Sequence, residues 1–573
     1  MMHVPVATYR VQFTPTFGFV AGARVVPYLS RLGISDLFVS PVSQARPGST
    51  HGYDVIDHNE INPELGGSQG LHSLRRAVES HGMAWLQDIV PNHMAFDKRN
   101  AKLADVLERG RSSPLSTYFD IDWSHQYESL RGRVLAPFLG SFYAEALENG
   151  EISLEYNREG LGVHYYDQRY PIALHTYRRV LAHDIERLEQ RLGAGHGELV
   201  RFLGALHFLA TIAEPRDEQQ IPVEEIEHAK LMVWDSYERN EEIAAFVREN
   251  IAVFNGKDGR WDLLDGLLSE QWYRLSFWKV ASDEINYRRF FTVNDLICIH
   301  VSRLDVFEES HRLIAQLVEQ GVFQGLRVDH IDGISDPQSY LDRLRRLAPN
   351  GYLVVEKVLG SHEALPNAWP VQGTTGYDFL DKVNGVFVRC ANEREITRTY
   401  ARFIGESTAF DNVLRARKRL MVGKHFAGNI ENLAYRLKRI AGEERYGRDI
   451  TMYALKRAMV EVMVHFPVYR TYVSERGFSS ADREILHQAV SAARRAFPEM
   501  AYELYFIEQY LFHPMLDEDT GDERKEELVA FVNEFQQLTG PLMAKGCEDT
   551  AFYVYNRLIS LNEVGGDPGE FGT

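Results

Sequence analysis

The chain has 573 residues, 45% hydrophobic and 25% charged, and its 63 Lys+Arg against 81 Asp+Glu give a formal net charge of −18. These are the proportions of a soluble globular protein and exclude a largely disordered one, while the acidic balance argues against the clustered positive surface that nucleic acid or an anionic membrane requires. At roughly 100–200 residues per domain, the length predicts about three to five domain-sized units, or one large barrel with insertions.

Strand and helix alternate from the start. Ala7–Phe13 is rich in β-branched and aromatic residues and is predicted as a strand. A helix over Val20–Leu32 is closed by Gly33. Asp36–Val42 is a second strand, Leu71–Ser80 a second helix, and Met83–Val90 a third strand, nearly continuous in apolar residues as a strand buried on both faces requires. This β-α-β-α-β order predicts a parallel sheet with helical crossovers. The alternation resumes far downstream with a strand over Gly325–Ile331. Asp336 then Pro337 are an N-cap and a first-turn proline for a helix through Leu344 and Leu347. Tyr352–Val358 is the next strand, and a sixth is expected near Pro370–Gly373.

Two long segments interrupt this pattern. The first carries helices such as His183–Leu192, closed by Gly193, and Glu241–Phe254, stopped by Asn255-Gly256. The second is helix-rich, with charge pairs that suit solvated helix faces. No repeat and no long Gly/Ser or Pro-rich linker separates them, so they are expected as insertions into one barrel. The expected division is 1–93, the first part of a barrel; 94–320, an inserted, mainly helical region after the third strand; 321–380, further barrel strands; 381–540, a helical insertion; and 541–573, a return towards the barrel.

The three cysteines, Cys298, Cys390 and Cys547, suit reduced thiols in a cytoplasmic protein and offer no CxxC zinc spacing. Met1 to Phe13 lack the pattern of a signal peptide, and no apolar run approaches the ~18 residues needed to span a bilayer. Neither a nucleic acid nor a membrane is an expected partner.

Chemistry is expected at the C-terminal ends of parallel strands. Three such ends are unusually polar: Asp88 to His93 (DIVPNH), Arg327 to Asp332 (RVDHID), and Glu356-Lys357. Asp329 and Glu356 are separated by one strand-helix-strand unit, and adjacent strands lie about 4.8 Å apart. Two carboxylates there can approach the ~5–5.5 Å between nucleophile and acid/base of a retaining glycosidase. Arg327, two residues before Asp329, points to the same face and is expected to favour the ionised form of a nucleophile. Glu356 would need a raised pKa to act as the acid. The plainer alternatives are an ion pair for Asp329, a satisfied structural histidine for His93, and for Asp88 a role in holding Arg327. Tyr53, in the His51–Asp54 loop (HGYD), is a candidate floor for a sugar. The aromatic segment Trp272–Phe291 is a sugar-stacking surface or, at helical spacing, core. No P-loop, no GxGxxG after a strand, no HExxH and no GxSxG occurs.

Taken together, DIVPNH, GLRVDHID and LVVEK resemble three signatures of the α-amylase superfamily, glycoside hydrolases of family 13 and transglycosylases. TYRVQFTPTFGF, STHGYDVIDHNEINPELGG, DEINYRRFF and MAKGCEDTAFYVYNRLISLNEVGGDPGEFG are similar to a narrower family within it, the maltooligosyltrehalose synthases, from about Thr8 onward. The resemblance implies an α/β fold, a (β/α)8 TIM-type barrel with large helix-rich insertions. It implies an isomerase that moves the reducing-end α-1,4 link of a maltooligosaccharide to an α,α-1,1 link, with no cofactor and no metal. Carried over, Asp329 is the nucleophile and Glu356 the general acid/base. Arg327 positions Asp329, Tyr53 stacks on the sugar and His93 hydrogen-bonds it. His330 and Asp332 line the leaving-glucose side; Asp88 and Asn92 complete the substrate-binding set.

The resemblance departs in one place. The family's third carboxylate lies in a Thr-His-Asp-Thr-Lys-like segment beyond the SLNEVGG stretch, and no such segment occurs in these 573 residues. The barrel is therefore expected to be incomplete at its C-terminal end. A fragment, a split enzyme served by a second polypeptide, and a natural truncation all remain open. So do an α-glucan hydrolase, a 4-α-glucanotransferase and an inactive glucan-binding fragment.

Overall fold

The structure, a computed structural model, describes residues 2–213, 222–257, 259–512 and 522–572. Positions 214–221, 258 and 513–521, within the two expected insertions, lie outside the described residues. The chain forms two compact units: residues 1–94, 289–293 and 299–573, and residues 95–288 and 294–298.

The first unit is built on a parallel sheet of six strands: β1 (Thr8–Val11), β2 (Asp36–Val39), β3 (Ala84–Ile89), β4 (Gly325–Val328), β5 (Tyr352–Val355) and β6 (Gly373–Thr374). They lie side by side in chain order, as successive right-handed crossovers place them. The crossing helices are α1 (Phe19–Leu32), α2 (Gly67–Ser80), α3 (Leu304–Glu319) and α4 (Pro337–Leu347). In α1, Phe19, Gly22, Val26 and Leu29 form one buried stripe at helical spacing. Its end is the αL cap that the sequence predicts: Gly33 has φ 91° and donates its N–H to Leu29 and Ser30. At α4, the Asp336 side chain accepts from the Ser339 N–H ahead of Pro337. Every residue of β3 is buried. This is the (β/α) TIM-type architecture, with six of its strands among the described residues.

The strands are shorter than the sequence predicts, and the reason bears on the site. β4 was expected to reach Ile331 but ends at Val328, because His330 adopts a left-handed conformation at φ 49° and Ile331–Gly333 turn as a 3-10 helix. β5 likewise stops at Val355. One further ladder bond carries each chain past its strand: Asp329 N–H donates to Ile89 O, and Glu356 N–H to Val328 O, both at 2.9 Å. The sixth strand is Gly373–Thr374, paired with Val354 and Val355.

After β6 the same unit continues into a helical region with a separate large apolar core, including Phe426, Ile430, Leu437, Leu455, Val462, Phe531 and Phe535. This region braces the loop after β4. Arg470, 1% exposed, donates to the backbone carbonyls of Asp332, Ile334 and Ser335, and Gln537 donates to Gly333 O.

The second unit combines helices, among them Glu186–Leu192, Gly197–Ala213, Val223–Arg239 and Glu241–Phe254, with an antiparallel sheet of Ile152–Asn157, Gly160–Tyr165 and Gln168–Pro171. A parallel pair, Val134–Leu139 with Tyr273–Phe277, lies beside them. The helical spacing expected of Trp272–Phe291 is not what forms. Tyr273–Phe277 is a strand, Trp278–Glu284 are short helical turns, and Arg289–Phe290 is again extended. Apolar and polar residues alternate along Tyr273–Phe277, a period of two that suits a strand and overrides the helical count.

Candidate active site at the C-terminal ends of the barrel strands

Strand register brings the polar strand ends together. Arg327 on β4 is the pairing partner of Asp88 on β3, and Val328 pairs with Val355, which sets Asp329 and Glu356 level just beyond their strands. The Arg327 guanidinium joins the acidic groups. Nη1 donates to Asp88 Oδ1 at 2.8 Å and to Asp329 Oδ1 at 2.7 Å, while Nη2 lies 3.1 Å from Glu356 Oε1. Asp329 and Glu356 therefore share a single guanidinium. Asp329 is 8% exposed and Glu356 26%, so the glutamate is the more open of the two.

Tyr53 enters the cluster through its hydroxyl, which donates to Asp88 Oδ2 at 2.6 Å and accepts from Arg10 Nη2 at 2.6 Å. Its loop needs glycine at position 52: φ is +82°, and a Cβ there would sit 2.9 Å from Pro41 O. Burial, then the Asp88 charge, push the Tyr53 phenol up, so it remains a donor. The ring is left partly exposed, a flat face of fixed orientation.

The loop after β4 supplies the other wall. The strained His330 backbone N–H donates to Glu356 Oε2 at 2.9 Å. The left-handed conformation, of order 1 kcal/mol or more for a non-glycine residue, aims that N–H at the carboxylate. The His330 ring packs against both Phe290 and Phe291, with centroids 5.0 and 4.9 Å away, and Phe290 also lies 4.5 Å from the His93 ring. Asn92 Nδ2 is 3.5 Å from His93 Nδ1. Gly333 is required by crowding, since a Cβ would fall 2.4 Å from His330 Cδ2 and 2.6 Å from Asn92 Oδ1.

Of the expected residues, Tyr53, Asp88, Arg327, Asp329 and Glu356 form one hydrogen-bonded cluster, and Asn92, His93 and His330 gather around Phe290. Asp332 is engaged elsewhere. Its carboxylate takes Lys357 Nζ at 3.2 Å and the Tyr472 hydroxyl at 2.5 Å, and the buried Lys357 also holds Glu363 at 2.9 Å. Sequence reasoning missed Arg10, Tyr377, whose hydroxyl donates to Glu356 Oε1 at 3.3 Å, and the individual roles of Phe290 and Phe291. Arg10 and the two phenylalanines lay inside motifs singled out for likeness; no spacing signal marked Tyr377. Among the described residues no cluster of His, Cys, Asp or Glu suits a metal ion.

The charge distribution corrects one expectation. Arg327 was expected to keep Asp329 ionised and Glu356 to have a raised pKa. Burial and then the Glu356 charge push Asp329 well above the usual carboxylate range, and Arg327 only partly opposes them. Burial also raises Glu356, but Arg327, His330 and the backbone N–H together outweigh it and bring Glu356 below its usual value. Burial raises Asp88 against Arg327 and Tyr53. The two shifts run in opposite directions, Asp329 towards the neutral form and Glu356 towards the charged one. Two carboxylates so close titrate as a unit.

Comparison with known proteins supports the same reading. Residues 23–137 match the family model described as "Alpha amylase, catalytic domain". A protein of Mycobacterium tuberculosis named "Putative maltooligosyl trehalose synthase" is 31% identical over 99% of this chain and 59% of its own length. The maltooligosyltrehalose synthase structure from Arthrobacter ramosus superposes with a TM-score of 0.73 at 32% identity, over 99% of this chain and 59% of that one. A structure titled as a hypothetical maltooligosyl trehalose synthase of Sulfolobus tokodaii gives a TM-score of 0.66 at 27% identity, over 100% of this chain and 59% of that one. The chain thus spans 59% of the length of these relatives.

Proposed function

We propose that the chain belongs to the α-amylase superfamily and rearranges maltooligosaccharides by intramolecular transglucosylation, a reading supported by the catalytic-domain match over residues 23–137 and by similarity over nearly all its length to maltooligosyltrehalose synthases. The carrying observation is the single guanidinium of Arg327 shared by Asp329 and Glu356 at adjacent strand ends. In the first step the Asp329 carboxylate bonds to the anomeric carbon of the penultimate glucosyl unit. The bond from that carbon to O4 of the terminal glucose breaks, and Glu356 gives its proton to O4. In the second step the freed glucose turns, and its anomeric hydroxyl oxygen attacks the same carbon. The hydroxyl proton returns to Glu356 and the ester to Asp329 breaks. Two displacements at one carbon retain its configuration, giving the α,α-1,1 link.

This sequence needs a proton on Glu356 and an ionised Asp329 when the first bond breaks. Arg327 positions both groups, Tyr53 offers a ring face to the sugar, and His93 and His330 line the pocket with Asn92. Asp88 acts through Arg327 and Tyr53. Asp332 acts through the loop that carries Asp329. Cytoplasmic residence fits its three free cysteines. Among the described residues no helix is long and apolar enough to cross a membrane.

Incubation with maltopentaose tests the proposal. Loss of reducing ends without chain shortening supports it. Release of glucose or growth of longer chains instead supports a hydrolase or a 4-α-glucanotransferase, and binding without any product supports a glucan-binding role. Asp329→Asn and Glu356→Gln should each abolish turnover; wild-type rates in either refute the assignment.

A further inference from the structure

The long helix Asp522–Cys547 ends against the candidate site. Lys545 Nζ lies 5.3 Å from the centroid of the Phe291 ring, which packs on His330. Three residues on, Glu548 accepts a hydrogen bond from the Tyr469 hydroxyl through Oε1. The Tyr469 ring in turn lies 5.6 Å from Nζ of Lys357, the residue next to Glu356. Glu548 is near enough to the acid/base for the Glu356 charge to raise it, and its own charge raises Tyr377, the hydroxyl donor to Glu356.

The second carboxylate oxygen of Glu548 has no hydrogen-bond partner among the described residues, and the cation nearest in sequence, Lys545, is paired with Asp549 at 2.5 Å. Glu548 is half-buried, with one oxygen oriented by a tyrosine, which leaves the other available to a donor entering the site. Glu548 carries its negative charge beside a site whose other acidic groups already share Arg327, so a neutral donor suits it better than an anion. Sugar hydroxyls are such donors. Burial, partly opposed by the Tyr469 bond, brings its pKa up to about 7.

We propose that Glu548 is a substrate-binding carboxylate of this site, taking a hydroxyl hydrogen bond from the glucosyl unit on the Glu356 side while Tyr469 fixes its orientation. This rests on the α-glucan reading above.

The test is calorimetric titration of maltopentaose into the full chain and into Glu548→Ala, Glu548→Gln and Tyr469→Phe. A lost hydrogen bond to a charged group corresponds to a roughly 10- to 100-fold rise in Kd for Glu548→Ala. Glu548→Gln, which keeps the shape and one acceptor, should lose less, and Tyr469→Phe should fall between wild type and alanine. A solely structural role would lower the melting temperature of the free protein while leaving Kd and the maltopentaose-induced rise in melting temperature unchanged, and that result overturns the proposal. If Glu548→Ala fails to fold, Glu548→Gln decides: an unchanged Kd overturns the proposal. Absence of maltopentaose binding by the wild-type chain would sink the α-glucan reading itself, whereas wild-type binding with undiminished affinity in the variants removes Glu548 alone.

Discussion

Replacing Arg327 with methionine removes the guanidinium that Asp88, Asp329 and Glu356 share. Two of its contacts are hydrogen bonds of 2.8 and 2.7 Å, the third is an approach of 3.1 Å, and the arginine side chain is 8% exposed. Breaking a buried ion pair by removing one partner costs about 3–5 kcal/mol. Here the orphaned carboxylates can relieve part of that cost by binding protons. Asp88 and Asp329 already stand above the usual range, and loss of Arg327 lifts them further. A carboxyl whose folded pKa exceeds its unfolded value, about 3.9 for Asp, favours the protonated folded form, so stability falls as pH rises between the two values. The Arg327→Met deficit should therefore be about 3–5 kcal/mol at pH 8 and clearly smaller at pH 5. Urea unfolding followed by tryptophan fluorescence reads it, because Trp85 is buried in β3 three residues before Asp88. Adding Asp88→Asn to Arg327→Met should return part of the loss at pH 8. A deficit below about 1 kcal/mol at pH 8, the size of an exposed pair, or one equal at both pH values would refute the buried shared-guanidinium argument.

Lys357→Met should cost about 3–5 kcal/mol, since it strands Asp332 and Glu363 beside a fully buried position; Asp332→Asn combined with Glu363→Gln should recover part of it, and denaturant titration measures both. Glu548→Gln should stabilise the free protein above neutral pH. Its folded pKa of about 7 lies above the ordinary glutamate value of 4.5, so the carboxylate destabilises progressively as pH rises from about 4.5 to about 7. Discounted for partial exposure, the gain at pH 8 is about 1–3 kcal/mol and vanishes near pH 4; a melting-temperature profile showing no pH-dependent gap from wild type contradicts it.

Much of the architecture could be read without coordinates because it rests on local physics. The buried stripe of α1 and its Gly33 cap, the Asp336-Pro337 start of α4, and the apolar run of β3 each depend on residues within a few positions of one another. The strand-end polarity of Asp88, Arg327, Asp329 and Glu356 was equally visible, because charges at strands buried on both faces demand a partner. The Trp272–Phe291 segment misled because aromatic spacing over a few residues fits helix and strand alike, and pairing with Val134–Leu139 decided between them.

The tertiary structure alone decided which distant groups complete the site. Arg10 and Tyr377 come from separate stretches of chain, and no periodicity links them to each other or to the strand ends. It also decided the direction in which the Asp329 carboxyl is shifted. Neighbouring residues in sequence pointed to an ionised Asp329, since Arg327 is two positions away. A carboxylate's ionisation answers to every charge and all the solvent around it, and burial with Glu356 across the gap outweighs that single arginine.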